Sequence, residues 1–163
     1  MKLVTCPSGL SGYLRRMKVE ELYEMNEAAA RGGTDGGLWR VLSSLWVETT
    51  DAGPYSFIVP GTERIDVRRL LMGDAMHLLV QARIASLGTY HEFTYQCPRC
   101  RERSTVEVDL DENIHVRQLP ESAATTLRSG KPFVATTLSG ARIHYRLATI
   151  AHDDEVAKLR KQL

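Results

Sequence analysis

Cys97-Pro98-Arg99-Cys100 is the one spacing in this 163-residue chain that suggests chemistry. Two thiolates three positions apart supply half of a tetrahedral zinc site, and proline in the second position suits the tight turn such a half-site needs. The usual other half, a second Cys pair or a His pair, is missing from the sequence. His91 is the first candidate for a third ligand, because it shares strand parity with Phe93, Tyr95 and Cys97 and would point the same way on a regular strand. His115, His144, Cys6 or a residue of another chain are the remaining completions, none at a diagnostic spacing. A structural zinc on Cys97 and Cys100 is therefore one reading. A second is a thiol redox turn, but such turns place the first Cys at a helix N-terminus to lower its pKa, and the residues that follow here, Arg101 to Val108, read as a strand. The plainest reading, two reduced cysteines in a turn, ranks first.

No other constellation supports catalysis. Ser43, Ser44 and the five histidines lack the spacing of a nucleophile and its base. There is no phosphate-binding glycine loop, and Asp109, Asp111 and Glu112 do not follow the pattern of a calcium loop. The expectation is a protein that is not an enzyme.

The elements around the turn can be read from periodicity. Leu71, Ala75, Leu78, Leu79 and Ala82 recur at helical spacing up to Gly88, with Asp66 and Asp74 as caps for two successive helices. Thr89–Gln96 and Ser104–Leu110 read as strands on either side of the cysteines. Upstream, residues 15–31 form a helix with Val19, Leu22, Tyr23 and Asn26 on its buried face. A second helix over 38–47 carries Trp39 and Trp46, which read first as core and second as interface anchors. Tyr55–Val59 is a short extended piece. Residues 1–14, with Pro7, Gly9 and Gly12, read as an extended arm that orders on a partner. Downstream, Ile114–Gln118 is a third candidate strand, Ser139-Gly140 a two-residue hairpin turn, and Asp153 the cap of a last helix with Val156, Leu159 and Leu163 on one face. The division is an arm at 1–14, a helical subdomain at 15–88, a β-rich subdomain at 89–150 and a C-terminal helix at 151–163. The fold class is α+β, a helical N-terminal half packed on a small antiparallel β-rich C-terminal half with a Cys-Pro-Arg-Cys knuckle.

The formal net charge of +1 gives no global field toward membranes or nucleic acid. Arg99, Arg101 and Arg103 form a short basic cluster, offset by the acidic strand after it, so nucleic acid is not the expected partner. Arginine outnumbers lysine 16 to 5, a bias that GC-rich coding and protein–protein interfaces explain equally well, so these three arginines join the two tryptophans as interface candidates. No apolar run is long enough to span a bilayer, the N-terminus does not read as a signal peptide, and three cysteines do not make a disulfide framework.

The order Leu70-Leu71-Met72-Gly73-Asp74, Leu78-Leu79, Arg83, Leu87-Gly88, Cys97-Pro98-Arg99-Cys100 and Val108-Asp109-Leu110 resembles the baseplate hub proteins of T-even-type contractile phages, the baseplate hub assembly chaperone family. Ser139-Gly140, Tyr145-Arg146-Leu147 and Asp153 extend the likeness, while Ala75 and Ala148 stand where the family pattern carries Arg and Pro. The resemblance implies a structural or assembly protein of a tail or tail-like particle, located in the virion and assembled in the host bacterial cytoplasm. It implies partners among tube, spike, tape-measure or wedge components. The alternative of a different class is a small zinc-binding adaptor that recruits a protein or nucleic acid.

Overall fold

A computed structural model describes residues 1–30, 37–55 and 65–160. The chain begins with sheet. β1 (Lys2–Thr5) and β2 (Ser11–Leu14) form an antiparallel hairpin, and β2 pairs on its other side with β3 (Trp46–Asp51), giving the order β1-β2-β3. The turn between β1 and β2 is closed by the Cys6 N–H to Leu10 O at 2.7 Å and the Gly9 N–H to Cys6 O at 2.9 Å, with Gly9 at φ +95°. Residues 1–14 are thus extended, as their composition suggests, but they are not an arm waiting for a partner. Val4, Cys6, Leu10 and Leu14 are buried and belong to the core.

Two helices, α1 (Val19–Ala30) and α2 (Gly37–Leu45), lie between β2 and β3. The expected helix over 38–47 ends at Leu45, and Trp46 opens β3 instead of closing α2. Trp46 packs over Gly12, where the indole and the Glu48 carbonyl fill the space a β-carbon would need. On α1 the buried face differs from the expected one. Val19 and Tyr23 are exposed, and Met25 packs on the core instead. Residues 56–59 of the expected extended piece lie outside the described residues, as do the glycine loop at 31–36 and Leu163.

A single 3-10 turn (Val67–Arg69), capped by the Asp66 carboxylate on the Arg68 N–H at 3.1 Å, leads into α3 (Met72–Leu87). Asp74 does not cap this helix. It sits inside the first turn and points into the protein. β4 (Tyr90–Gln96) and β5 (Arg103–Asp109) form a hairpin, followed by one turn of helix, α4 (Leu110–Asn113), capped by Asp109. Residues 114–118 form no strand. α5 (Glu121–Arg128) precedes a second hairpin of β6 (Phe133–Thr136) and β7 (Arg142–Tyr145). Thr137 and Ala141 close its loop by a 2.9 Å bond, leaving three residues at the tip with Gly140 at φ +83°, a three-residue turn and not the two-residue turn expected. α6 (Ile150–Arg160) starts before Asp153. Thr149 and His152 open it, the Thr149 N–H donating to His152 Nδ1 at 3.2 Å.

The protein is α+β, with helices and, among the described residues, three small antiparallel sheets. Among the described residues, its main core cluster is assembled from residues between Val4 and Ala82, joined from the C-terminal half by Ile150. Ile150 is drawn in by main chain: its N–H reaches Leu70 O at 3.2 Å, the Met72 N–H reaches Ala148 O at 2.9 Å, and Leu71 and Thr149 form a bridge. Burying each of the leucines at 10, 14, 42, 45, 70 and 78 contributes roughly 1.5–3 kcal/mol. The two later hairpins contribute nothing to this cluster.

Candidate interaction site

α3 is held at both ends by the residues that mark its motif. At the start, the Asp74 carboxylate is buried and accepts the Ser8 N–H at 3.1 Å on one oxygen and the Tyr55 hydroxyl on the other. The Leu71 N–H donates to the same hydroxyl at 3.2 Å. Burial, and the negative charge of Asp74 beside them, push both the Tyr55 phenol and the Cys6 thiol well above their usual range, so both stay protonated. This cluster is a clasp between α3 and the β1–β2 turn. At the end, Arg83 donates to Gly88 O at 2.7 Å and Tyr90 O at 3.0 Å, and its Nη2 lies 3.0 Å from His91 Nδ1. That fixes the direction in which β4 leaves the helix.

β4 and β5 therefore leave the core at a set angle. Their register pairs His91 with Val108, Phe93 with Val106 and Tyr95 with Ser104. Side chains alternate across the pleat, so these residues share one face, while Glu92, Thr94, Glu107 and Thr105 take the other. Phe93 is 46% exposed, Tyr95 52% and Val106 50%. A two-stranded hairpin with an apolar face open to water is unusual, because isolated hairpins are marginal and burial of such a face normally supports them.

At the tip, the Arg101 N–H closes the turn onto Cys97 O at 2.8 Å, and the Cys97 N–H reaches Glu102 O at 2.9 Å. Arg101 sits at φ +58°, the only non-glycine residue with positive φ among the described residues. Backbone N–H groups of Cys100 and then Arg99 point at the Cys97 sulfur and hold its thiol down to about 7. The turn, and not a helix, lowers this pKa, since the chain continues into β5. Cys97 is half-buried and Cys100 exposed, both as free thiols.

The structure does not bring His91 to them. Its Nδ1 faces Arg83, its ring stands edge-on to Phe93 at 4.2 Å, and it lies six positions before Cys97, about 20 Å at the usual rise. Among the described residues, no group of three or more His, Cys, Asp or Glu side chains is placed to hold a metal. Trp39 and Trp46 are buried, 7% and 2% exposed, and pack in the core. Arg99, Arg101 and Arg103 are all exposed around the tip. Sequence reasoning missed the exposure of Phe93, Tyr95 and Val106. Their alternation was visible, but it reads the same whether the apolar face meets a core or the solvent.

These features define an α+β protein that carries an exposed apolar face on the β4–β5 hairpin. Residues 58–136, just under half of the chain, match the family described as T4 bacteriophage base plate protein. The matched stretch contains α3, the whole β4–β5 hairpin with its thiol turn, and α5 through β6. No curated protein and no solved structure matches the chain. The match supports a structural role in a T4-type phage baseplate, among other baseplate proteins and in the virion tail, and it speaks for a non-enzymatic role. No helix among the described residues is long and apolar enough to cross a membrane.

Proposed function

We propose that this chain is a non-enzymatic baseplate hub or hub-assembly protein of a contractile tail or tail-like particle, and that the apolar face of the β4–β5 hairpin is its docking surface for tube, spike, tape-measure or wedge components. The observation that carries this reading is the open face of Phe93, Tyr95 and Val106 lying inside the segment that matches the baseplate family. A surface of this kind costs solubility unless a partner covers it. Assembly would take place in the host bacterial cytoplasm before the tail is complete. Mass spectrometry of purified tails tests the proposal. Copurification at fixed stoichiometry, lost on Phe93→Ser with Val106→Ser, is the expected result. A requirement during assembly with absence from finished tails assigns the chaperone role within the same proposal. Tails that form normally without the protein overturn it.

A second reading rests on the N–H groups aimed at the Cys97 sulfur, an arrangement that favours a thiolate and hence a soft metal. Cys97 and Cys100 would then hold a structural zinc completed from another chain, and the hairpin would act as a zinc-dependent adaptor. Metal analysis of purified complexes decides it. Zinc present in them and lost with Cys97→Ser supports the adaptor, whereas assembly unaffected by that substitution removes it.

A further inference from the structure

A cleft of about 330 Å³ opens between α5, the β6–β7 hairpin and the start of α6. Arg128 and Lys131 line it from the end of α5 and the loop after it, and Arg146 and His152 from the end of β7 and the start of α6, over an apolar floor that includes Leu71 and Phe133. The whole chain carries a net charge of only +1, so this gathering of cations is local. No carboxylate lines the cleft among the described residues. We infer that it is a binding site for an acidic segment of a partner protein, one or two carboxylates flanking an apolar side chain.

The chemistry favours a carboxylate. Arg128 already holds one, that of Glu121 at 2.8 Å, but both side chains are largely in water. Such a pair contributes little and exchanges readily for an incoming carboxylate that is better enclosed. His152 accepts the Thr149 N–H on Nδ1, so in the neutral ring the proton sits on Nε2, a donor. Lys131 and Arg146 are exposed, on either side of the β6–β7 hairpin. Phe133 stacks on Tyr145 with ring centres 5.4 Å apart, which gives the floor a flat aromatic wall. A nucleic acid fits less well. It needs a continuous track of cations along its phosphates, and this site is one compact cleft on a nearly neutral protein.

The inference rests on the proposal that the partners are proteins. Its test is selection of a ribosome-displayed library of random 12-residue peptides against the full chain and against a Lys131→Glu, Arg146→Glu variant. The expected result is enrichment of Asp and Glu beside aliphatic or aromatic residues, with the best peptide binding at least tenfold more weakly to the variant and in high salt. Selected peptides without acidic enrichment, or equal binding to the variant, overturn it. So does a 30-nucleotide single strand that binds more tightly than the best peptide. Circular dichroism of the variant checks that it folds, and Arg146→Ala alone, expected to weaken binding severalfold, serves if it does not. Incorporation into tails is scored separately, so loss of the baseplate reading and loss of the cleft reading give different results.

Discussion

At the scale of single residues, Asp74 has the largest consequences. It is 1% exposed, and its two oxygens take the Ser8 N–H and the Tyr55 hydroxyl. Asp74→Ala removes the acceptor of the buried Ser8 N–H and of the half-buried Tyr55 hydroxyl, a loss of about 2–4 kcal/mol that a urea titration would read as a lowered midpoint. Arg101 makes a smaller but cleaner case. A side chain at φ +58° is strained, and glycine there loses the strain at some entropic cost. Arg101→Gly should therefore raise stability by about 0.5–1 kcal/mol, and an unchanged or lowered melting temperature would contradict the account. Glu21 supplies the pH dependence. Its carboxylate is held down to about 2, first by Arg15 and then by the Lys18 N–H and the Ser44 hydroxyl. The folded value lies below the ordinary 4.5, so the stabilisation is complete above pH 4.5 and is lost as pH falls toward 2. Part of it is screened by solvent, and Glu21→Gln should cost about 1 kcal/mol at pH 7 and nothing near pH 2.

At the scale of elements, legibility in the sequence followed chain length and locality. α3 and the two strands after it could be read because sixteen helical residues and a seven-residue alternation each repeat their period more than twice. β1 and β2 could not, being four residues each and separated by Pro7 and Gly9, types that locally mean loop. Their third partner, β3, was hidden because Trp46 continues the helical spacing of α2 for one more residue. The strand was decided by Gly12, whose missing side chain admits the indole, a contact between residues far apart in sequence. Of the interaction site, the thiol turn was legible and the open apolar face was not, because exposure belongs to the rest of the fold. The hairpin's tertiary isolation leads to a prediction about the element. Phe93→Ser and Val106→Ser remove side chains that are about half in water, so each should change global stability by less than about 1 kcal/mol while reducing binding to tail partners. A large loss of stability in the isolated protein would mean that this face is covered within the chain.

At the scale of the whole molecule, the main core and the exposed hairpins occupy different parts of the sequence. Among the described residues, the main buried cluster draws on residues between Val4 and Ala82, plus Ile150, while the exposed hairpins follow. The clasp at Asp74 and the tie from Arg83 to β4 keep the projecting part oriented without making the core depend on it. The proposed docking role would benefit from that separation, since an exposed face can be altered without unfolding its carrier. Two truncations test it in opposite directions. Removing residues 1–10 takes out β1 and the buried side chains of Val4, Cys6 and Leu10, and also strips Asp74 of the Ser8 N–H. Three lost core side chains at about 1–3 kcal/mol each are comparable with the whole stability of a domain this size, so the product should have no cooperative thermal transition. Replacing residues 95–104 by a two-residue Asn-Gly turn should instead leave a cooperative transition within a few degrees of the parent, because the shortened stretch carries no core residue and the retained Phe93–Val106 pair still fixes the register. Circular dichroism melts of the two proteins give the answer, and a folded first truncation or an unfolded second one would refute the division of labour.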